Sequence, residues 1–429
     1  MNLKTFLVPL YFTLFCSVWG ISQNEELESI IQYKNHTYQP QIQTVQLHLL
    51  GDPLAPPILE LGDNKQIQLN FDNLNSELRD FYYTFIHCDA NWNPSDLMPN
   101  EYINGLNEDL IFDHDFSRNT IHSYINYRVA FPNDEMRITN SGNYLLYVFE
   151  DGDRKKPVLT YRFMVVEPKT NLAAKIFSGS GGYERNLKQA INIRLSSNEY
   201  QLTNPYEDLK VFILQNQRWD NMIGPITPAF VKGNEIEYGI GNEAVFDGGN
   251  EYRYFNIQDL NFLGKGIKQH GKDERGYHHV FLEEEQKRTY QVYLTSRDIN
   301  GKYFIRNTQW GDNPDIDADY AYVHFNLKAD QPFGNDIFVS GQLTNWQLDP
   351  RYKMKYDHDR KLYEGVFLLK QGQYNYQYVM EDKDGFGINL EGSHFDTEND
   401  YYILVYHRNM VDRFDRLIGL KLINSKRDF

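Results

Sequence analysis

Apolar and polar residues alternate with a period of two along much of the chain. Ile67, Leu69 and Phe71, for example, are separated by glutamine and asparagine. The same alternation recurs in four further segments, at residues 159–165, 290–294, 323–327 and 374–380. Because a period of two places alternate side chains on one face of a strand, each segment is predicted to be a half-buried β-strand.

Turn-forming residues separate these segments, and helical periodicity is sparse. Dipeptides that favour positive φ in hairpins occur at residues 151–152, 233–234 and 300–301. Residues 104–110 and 186–190 could each form one or two helical turns. Residues 410–423 combine some helical spacing with an alternation at Ile418, Leu420 and Leu422, and we expect a closing strand there.

Two polar, proline-containing stretches divide the chain. They are EPKTN at residues 167–171 and KADQPFG at residues 328–334. With a leader at the N-terminus, they define four segments, 1–22, 23–168, 169–330 and 331–429. The last three segments have sizes typical of single domains. We therefore expect an all-β protein with three serial antiparallel β-sandwich domains of the immunoglobulin-like, early-set type.

The N-terminus has the layout of a secretory signal peptide. Lys4 is its only charge, residues 6–19 are apolar, and the small residues Gly20 and Ser22 precede a polar run. Cleavage is predicted after Ser22, and the mature chain would be exported across at least the inner membrane. The residue before Cys16 is aromatic, whereas a lipoprotein signal needs a small residue there, so no lipid anchor is expected.

The composition excludes several classes of partner. The 429 residues include 59 acidic and 43 basic side chains, a net charge of −16, and the pI is about 5.2. Nucleic acid and anionic lipid are therefore not expected as partners. The mean hydropathy is −0.62 and no long apolar run occurs, so direct membrane insertion is not expected either. Cys88 is the only cysteine after the leader and is predicted to be a buried, inert thiol.

The sequence lacks the patterns of catalytic and metal sites. It contains no G-x-S-x-G motif. Three histidines lie close together without the spacing of a zinc site, and we interpret them as surface residues of a long loop: His270, His278 and His279. Alternating aspartates at 315, 317 and 319 resemble the start of a calcium loop, but Tyr320 and Asn326 replace its glycine and glutamate. No catalytic residue, metal or cofactor is predicted, and the protein is not expected to be an enzyme.

The C-terminal segment resembles early-set immunoglobulin-like modules that include glycogen-binding domains. The resemblance is carried by SGQLTNW at residues 340–346 and GQYNYQYV at residues 372–379. In sugar-binding members it implies that Trp346 would stack on glucose, with a lysine at position 377 and a second tryptophan. Gln377 and the missing tryptophan depart from that pattern. We therefore interpret Trp346 as a structural anchor, and a periplasmic or surface glycan-binding protein is the alternative function.

The N-terminal segment carries a more specific pattern. It reads FYYTFIHCDANW at residues 81–92, PSDL at 94–97, YING at 102–105, DHDFSRNT at 113–120 and SGNYLLYV at 141–148. This pattern resembles the plug protein family of the type IX secretion system, over nearly all of the mature chain. The resemblance implies a non-enzymatic periplasmic protein that caps the periplasmic end of a giant outer-membrane β-barrel translocon when no transport occurs. It would be a monomer when free and peripherally associated with that barrel.

The loop of residues 90–106 is the candidate contact surface. Trp92, Met98 and Tyr102 lie there among polar neighbours, which is the residue mix found at interface cores. The alternative is that these aromatic side chains cover the core of the first sandwich.

Overall fold

The computed structural model describes residues 31–197, 199–309, 311–383 and 387–427, without the side chains of residues 387–389. The predicted signal peptide lies outside these ranges. Within these ranges the α-helices are single turns that begin with proline, whose fixed φ suits a first helical position: α1 (Pro99–Tyr102), α2 (Pro205–Asp208) and α3 (Pro314–Asp317). Short 3₁₀ turns lie at Glu184–Asn186, Gln342–Thr344 and Pro350–Tyr352. No helix in these ranges is long and apolar enough to cross a membrane.

The N-terminal lobe is a β-sandwich. Its strands are β1 (His36–Thr37), β2 (Ile42–Leu49), β3 (Ile58–Glu60), β4 (Ile67–Asn73), β5 (Phe81–Cys88), β6 (Ile103–Gly105), β7 (Asp109–Leu110), β8 (Asp113–Phe116), β9 (Ile125–Phe131), β10 (Met136–Ile138), β11 (Gly142–Glu150) and β12 (Pro157–Val166). One sheet has the order β1-β12-β11-β5-β7, with β3 beside β12, and the facing sheet has the order β2-β4-β9-β8. Strands β6 and β10 form a small third sheet.

The middle lobe is a second sandwich, which the end of the chain completes. Its strands are β13 (Asn171–Ser178), β14 (Lys188–Ser196), β15 (Leu209–Gln215), β16 (Ile223–Ile226), β17 (Phe230–Lys232), β18 (Glu235–Tyr238) and β19 (Val245–Asp247). One sheet has the order β13-β14-β18-β17, with β19 beside β14. The other sheet pairs β15 and β16 with two late strands, Asp400–His407 and Arg416–Asn424.

The C-terminal lobe comprises the residues between these two parts of the middle lobe. Its strands are β20 (Arg253–Asn256), β21 (Ile267–Lys272), β22 (His278–Leu282), β23 (Glu285–Gln286), β24 (Tyr303–Ile305), β25 (Tyr320–Lys328), β26 (Ile337–Ser340), β27 (Lys353–Asp357), β28 (Leu362–Lys370), β29 (Gly372–Glu381) and β30 (Gly387–Asn389). They form one sheet with the main order β20-β29-β26-β27-β28-β25-β22-β21, folded around its own core. The late strands of the middle lobe are β31 (Asp400–His407) and β32 (Arg416–Asn424).

The prediction of an all-β, antiparallel fold is confirmed, but strand pairing crosses the predicted domain boundary at residue 331. β25 pairs with β28 over nine residues, from Tyr320 opposite Lys370 to Lys328 opposite Leu362. The stretch 328–334 is thus a loop within one lobe, and residues 400–424 belong to the middle lobe. Proline and glycine mark a turn, but they carry no information on which distant strand the chain pairs with next.

The N-terminal and middle sandwiches stack back to back. The outer face of β11 and β12 packs on the sheet of β15, β31 and β32, with Tyr147 and Met164 on one side and Leu404 and Tyr406 on the other. For this reason β11 and β12 are buried on both faces, although the alternation in residues 159–165 predicted one wet face. The two lobes therefore share a continuous apolar interface.

Some local predictions are wrong. Residues 104–110 and 186–190, predicted as helical turns, lie largely in strands β6, β7 and β14. The predicted strand at residues 290–294 is absent, and Tyr290, Val292 and Leu294 are 90%, 86% and 78% exposed. The alternation there is real, but the fold supplies no neighbouring strand for it.

Candidate functional site

Trp92 of the predicted contact loop is buried between two lobes. Its ring lies 4.9 Å from that of Trp219 in the middle lobe, edge to face. The guanidinium of Arg162, on β12, lies 4.4 Å above the Trp92 ring and donates hydrogen bonds to the carbonyl of Tyr33 at 2.9 and 2.6 Å. Burial lowers the pKa of Arg162 to about 10. Trp92 therefore joins the lobes and cannot reach a partner.

Tyr102 is also buried, within the N-terminal lobe. Its hydroxyl donates a hydrogen bond to the carbonyl of Phe85 at 3.2 Å, and its ring lies edge to face with Tyr144 at 5.9 Å. Burial raises the pKa of Tyr102 to about 12. The prediction that Trp92 and Tyr102 contact a partner is thus corrected. Interface cores and folded cores use the same aromatic residues, so composition alone did not distinguish them.

Met98 is the exposed member of the predicted set, at 66%. Its backbone N–H donates to one carboxylate oxygen of Glu101 at 2.7 Å, at the start of α1. The other oxygen of Glu101 accepts from Arg413 at 2.6 Å, and Arg413 also donates to the carbonyl of Asp96 at 2.6 Å. These bonds hold the Met98 loop of the N-terminal lobe against the loop between β31 and β32 of the middle lobe.

The tip of that second loop is apolar. Met410 and Val411 are 99% and 88% exposed. We call Met98, Met410 and Val411 the methionine patch. Large apolar side chains held this far into water are typical of binding surfaces, and methionine adapts to varied partners. The closing strand was expected to include Met410, but it begins at Arg416, so this exposed tip was not predicted. A pair of apolar residues between charged ones, RNMVDR at 408–413, is the signal that marks it.

Trp346 and Gln377, the candidate glycan contacts, are both buried. Trp346 is 8% exposed and lines a cleft of about 70 Å³ together with Arg162, Trp219 and Tyr402. The amide of the preceding residue, Asn345, donates a hydrogen bond to the Tyr161 hydroxyl of the N-terminal lobe at 3.1 Å. Gln377 lies opposite Ser340 in the β26–β29 ladder. The Trp346 ring thus offers little open surface on which a sugar could stack.

The aspartates of the calcium-like stretch bind the N-terminal lobe. Asp317 accepts two hydrogen bonds from the guanidinium of Arg118, at 3.0 and 2.9 Å. Asp319 accepts from the backbone N–H groups of Ile121 and His122, at 2.7 and 3.1 Å. These carboxylates clamp the N-terminal lobe to the C-terminal lobe and are committed to protein donors.

The histidines singled out in the sequence lie on the β21–β22 hairpin, where a loop was expected. Nδ1 of His279 lies 2.8 Å from Nε2 of His324, on the adjacent strand β25. Across the part of the chain with assigned structure, no three His, Cys, Asp or Glu side chains are arranged to hold a metal ion. Cys88 is fully buried, and burial raises the pKa of its thiol well above the usual value.

Comparison with known proteins identifies the family. A family model described as the first domain of the type 9 secretion system plug protein matches residues 42–167, from β2 to the end of β12. A crystal structure of a hypothetical protein from Parabacteroides merdae is 34% identical and superposes with a TM-score of 0.87, covering 92% of this chain and 100% of the other. Among curated proteins no match is found. The chain belongs to the plug protein family of the type IX secretion system.

Proposed function

We propose that the protein is a non-enzymatic periplasmic plug. It seals the periplasmic opening of the giant outer-membrane β-barrel translocon of the type IX system when that barrel is not engaged in transport. The observation that carries this proposal is the family match over residues 42–167, the lobe that presents Met98. The barrel is its partner, and the free protein is a monomer without a cofactor.

A plug must not come apart at the interfaces between its lobes, and the contacts at these interfaces hold the lobes together. The N-terminal and middle lobes share an apolar interface between sheets, reinforced by Arg162 over Trp92. The N-terminal and C-terminal lobes are joined by Arg118 on Asp317 and by the backbone of residues 121–122 on Asp319. The three lobes therefore act as one body, which can cover an opening without any chemical step.

The methionine patch is the surface proposed to contact the barrel. It straddles the seam between the N-terminal and middle lobes and is flanked by the charged pair Glu101 and Arg413. Because a plug must leave before transport begins, a contact of moderate affinity fits this role better than a large obligate interface. Flexible methionine side chains bordered by charged residues suit such a reversible contact.

The test is affinity purification of the tagged protein from the native cell envelope. The wild-type chain is expected to recover a large outer-membrane barrel, and the double variant Met410→Glu, Val411→Glu to recover much less of it. The control is Phe262→Glu, Leu263→Glu. It changes two consecutive exposed apolar residues in the loop between β20 and β21 of the C-terminal lobe. If the wild-type chain recovers no such barrel, the proposal is wrong.

A further inference from the structure

An extended segment without a strand partner lies between β23 and β24. Residues 292–297 belong to no helix or strand. In the ranges that carry assigned structure, their peptide N–H groups have no hydrogen-bond acceptor within the protein. Unpaired main-chain donors on an exposed extended segment form a template for pairing with another strand.

Both ends of the segment are fixed. Upstream, the Arg288 guanidinium donates to the carboxylate of Glu391 at 2.6 Å and to the carbonyl of Glu251 at 2.7 Å. Downstream, the Asp298 carboxylate accepts from the N–H of Tyr252, and the Ile299 N–H donates to the side chain of Asn375 at 2.6 Å. The segment is thus held in place without using the main chain of residues 292–297.

One inward side chain sets the orientation of the segment. The Tyr293 hydroxyl donates to the carboxylate of Glu251, and its oxygen lies 2.8 Å from the carbonyl oxygen of Asp396. Since successive side chains of an extended chain point to opposite faces, Val292 and Leu294 point outward. They are 86% and 78% exposed, and Tyr290 is 90% exposed. The outer face is therefore apolar and unpartnered.

We propose that residues 290–297 are a docking site for an acidic, extended peptide segment, which pairs with them as an added β-strand. The main-chain groups of residues 292–297 would supply the hydrogen-bond ladder. Val292 and Leu294 would pack against alternate apolar side chains of the incoming strand. The structure already orders the segment, so docking carries a smaller entropic cost than it would for a flexible loop.

Charge decides the nature of the occupant. Residues 287–297 contain no acidic residue, in a chain whose net charge is −16; Arg288 is paired with Glu391, and Lys287 and Arg297 are exposed. Lys426 adds a further positive charge above the Tyr293 ring, Asp396 is an exposed acidic residue beside it, and the nearby carboxylates of Glu251 and Asp298 accept hydrogen bonds from within the protein. If two copies of the segment paired antiparallel, Lys287 of one copy would lie near Arg297 of the other. These like charges repel, so a second copy of the chain fits poorly. An acidic peptide segment complements the positive charge of the site. This site does not depend on the methionine patch.

The test is fluorescence anisotropy with the purified chain and two labelled peptides of about ten residues, the length of a strand pairing site. One peptide alternates valine with glutamate, and the other alternates valine with lysine. The glutamate peptide is expected to bind saturably, and the lysine peptide about tenfold more weakly or worse. Absence of saturable binding by the glutamate peptide, or equal binding of both, would overturn the proposal.

Two variants test whether the change in anisotropy comes from peptide bound at residues 290–297. Leu294→Pro removes an N–H that has no acceptor in the free protein, so the fold is retained while pairing with the glutamate peptide weakens about tenfold. Val292→Ser, Leu294→Ser is the second variant and removes the apolar face without proline. The control Met410→Ser, Val411→Ser is expected to bind the peptide as the wild type does. Full binding by either segment variant would show that the peptide binds elsewhere and would overturn the site.

Discussion

The side-chain nitrogen of Lys370 lies 2.6 Å from a carboxylate oxygen of Asp72, and both side chains are buried. Lys370 is at the end of β28 in the C-terminal lobe, and Asp72 is on β4 in the N-terminal lobe. Asp72 also accepts from the Tyr320 hydroxyl at 2.6 Å and from the Asn126 amide at 2.8 Å. Burial raises the pKa of Asp72 and lowers that of Lys370, and their mutual attraction opposes both shifts. This ion pair connects the two lobes at their centre.

Breaking this pair from one side is expected to destabilise the protein strongly. Lys370→Met leaves the Asp72 carboxylate buried without its cation, and the free energy of unfolding should fall by about 3–5 kcal/mol. Denaturant unfolding followed by intrinsic fluorescence measures the change. The double variant Lys370→Met, Asp72→Asn should be less destabilised than the single one, because no lone buried charge remains. A single variant as stable as the wild type would contradict this role.

The clamp at Arg118 is expected to contribute less. Arg118→Ala removes both hydrogen bonds to Asp317, whose side chain is almost fully buried, and should lower the free energy of unfolding by about 1–3 kcal/mol. Its matched control is Arg137→Ala, because Arg137 pairs with Asp134 where both side chains are exposed. Thermal unfolding of the two variants in parallel checks the difference. Equal midpoints for both would show that Asp317 does not depend on Arg118.

His87 is expected to make the protein less stable in acid. Burial lowers the pKa of this histidine from 6.5 to about 4, with the ring between Ser95 and the carbonyl of Ser141. Above pH 6.5 the ring is neutral in both states and has no effect. As the pH falls from 6.5 to about 4, the unfolded chain takes up the proton first, so stability is lost, by about 3 kcal/mol in total.

The difference between wild type and His87→Gln isolates this effect. Asp298 acts in the opposite direction, because burial raises its pKa to about 7 and the folded state therefore binds a proton first as the pH falls. This contribution is the same in both proteins and cancels. Unfolding measured from pH 7 to pH 4 should show the wild type losing stability relative to the variant. Parallel curves would contradict a buried, neutral His87.

Cys88 is expected to be chemically silent in the folded protein. The thiol is fully buried in the apolar layer between the N-terminal and middle lobes, and burial raises its pKa. Since the thiolate is the reactive form, a thiol-specific chromogenic reagent should not modify Cys88 in native buffer and should modify it in denaturant. Rapid modification under native conditions would show that this layer opens.

The sequence predicted the strands whose two faces differ. Ile67, Leu69 and Phe71 on β4 face the core while polar side chains separate them, so alternation was sufficient to predict the strand, but Asn70 and Asp72 on its other face are buried as well. It was not sufficient for β11 and β12, because their second face is covered by strands that come about 250 residues later in the chain. Residues 290–294 alternate as clearly as β4 does, yet no strand pairs with them. Alternation reports the local preference of the chain, whereas pairing is decided by distant residues.

The candidate surface shows the same limit. Trp92, Met98 and Tyr102 all belong to residue types that are enriched at interface cores. The stacking of two sandwiches buries Trp92, however, and the core of the N-terminal sandwich buries Tyr102. Met410 and Val411 lie on a loop that Arg413 ties to Glu101, at the start of α1 beside Met98, across the lobe boundary. A patch assembled from residues more than 300 positions apart is not visible in a local pattern.

Channel conductance tests the proposed plug most directly. The purified translocon barrel is inserted into a planar lipid bilayer, and the protein is added to the side that corresponds to the periplasm. We predict that the wild-type chain closes the open channel and that Met410→Glu, Val411→Glu closes it much less, whereas Phe262→Glu, Leu263→Glu acts as the wild type does. Conductance that stays unchanged at saturating wild-type protein would contradict the account.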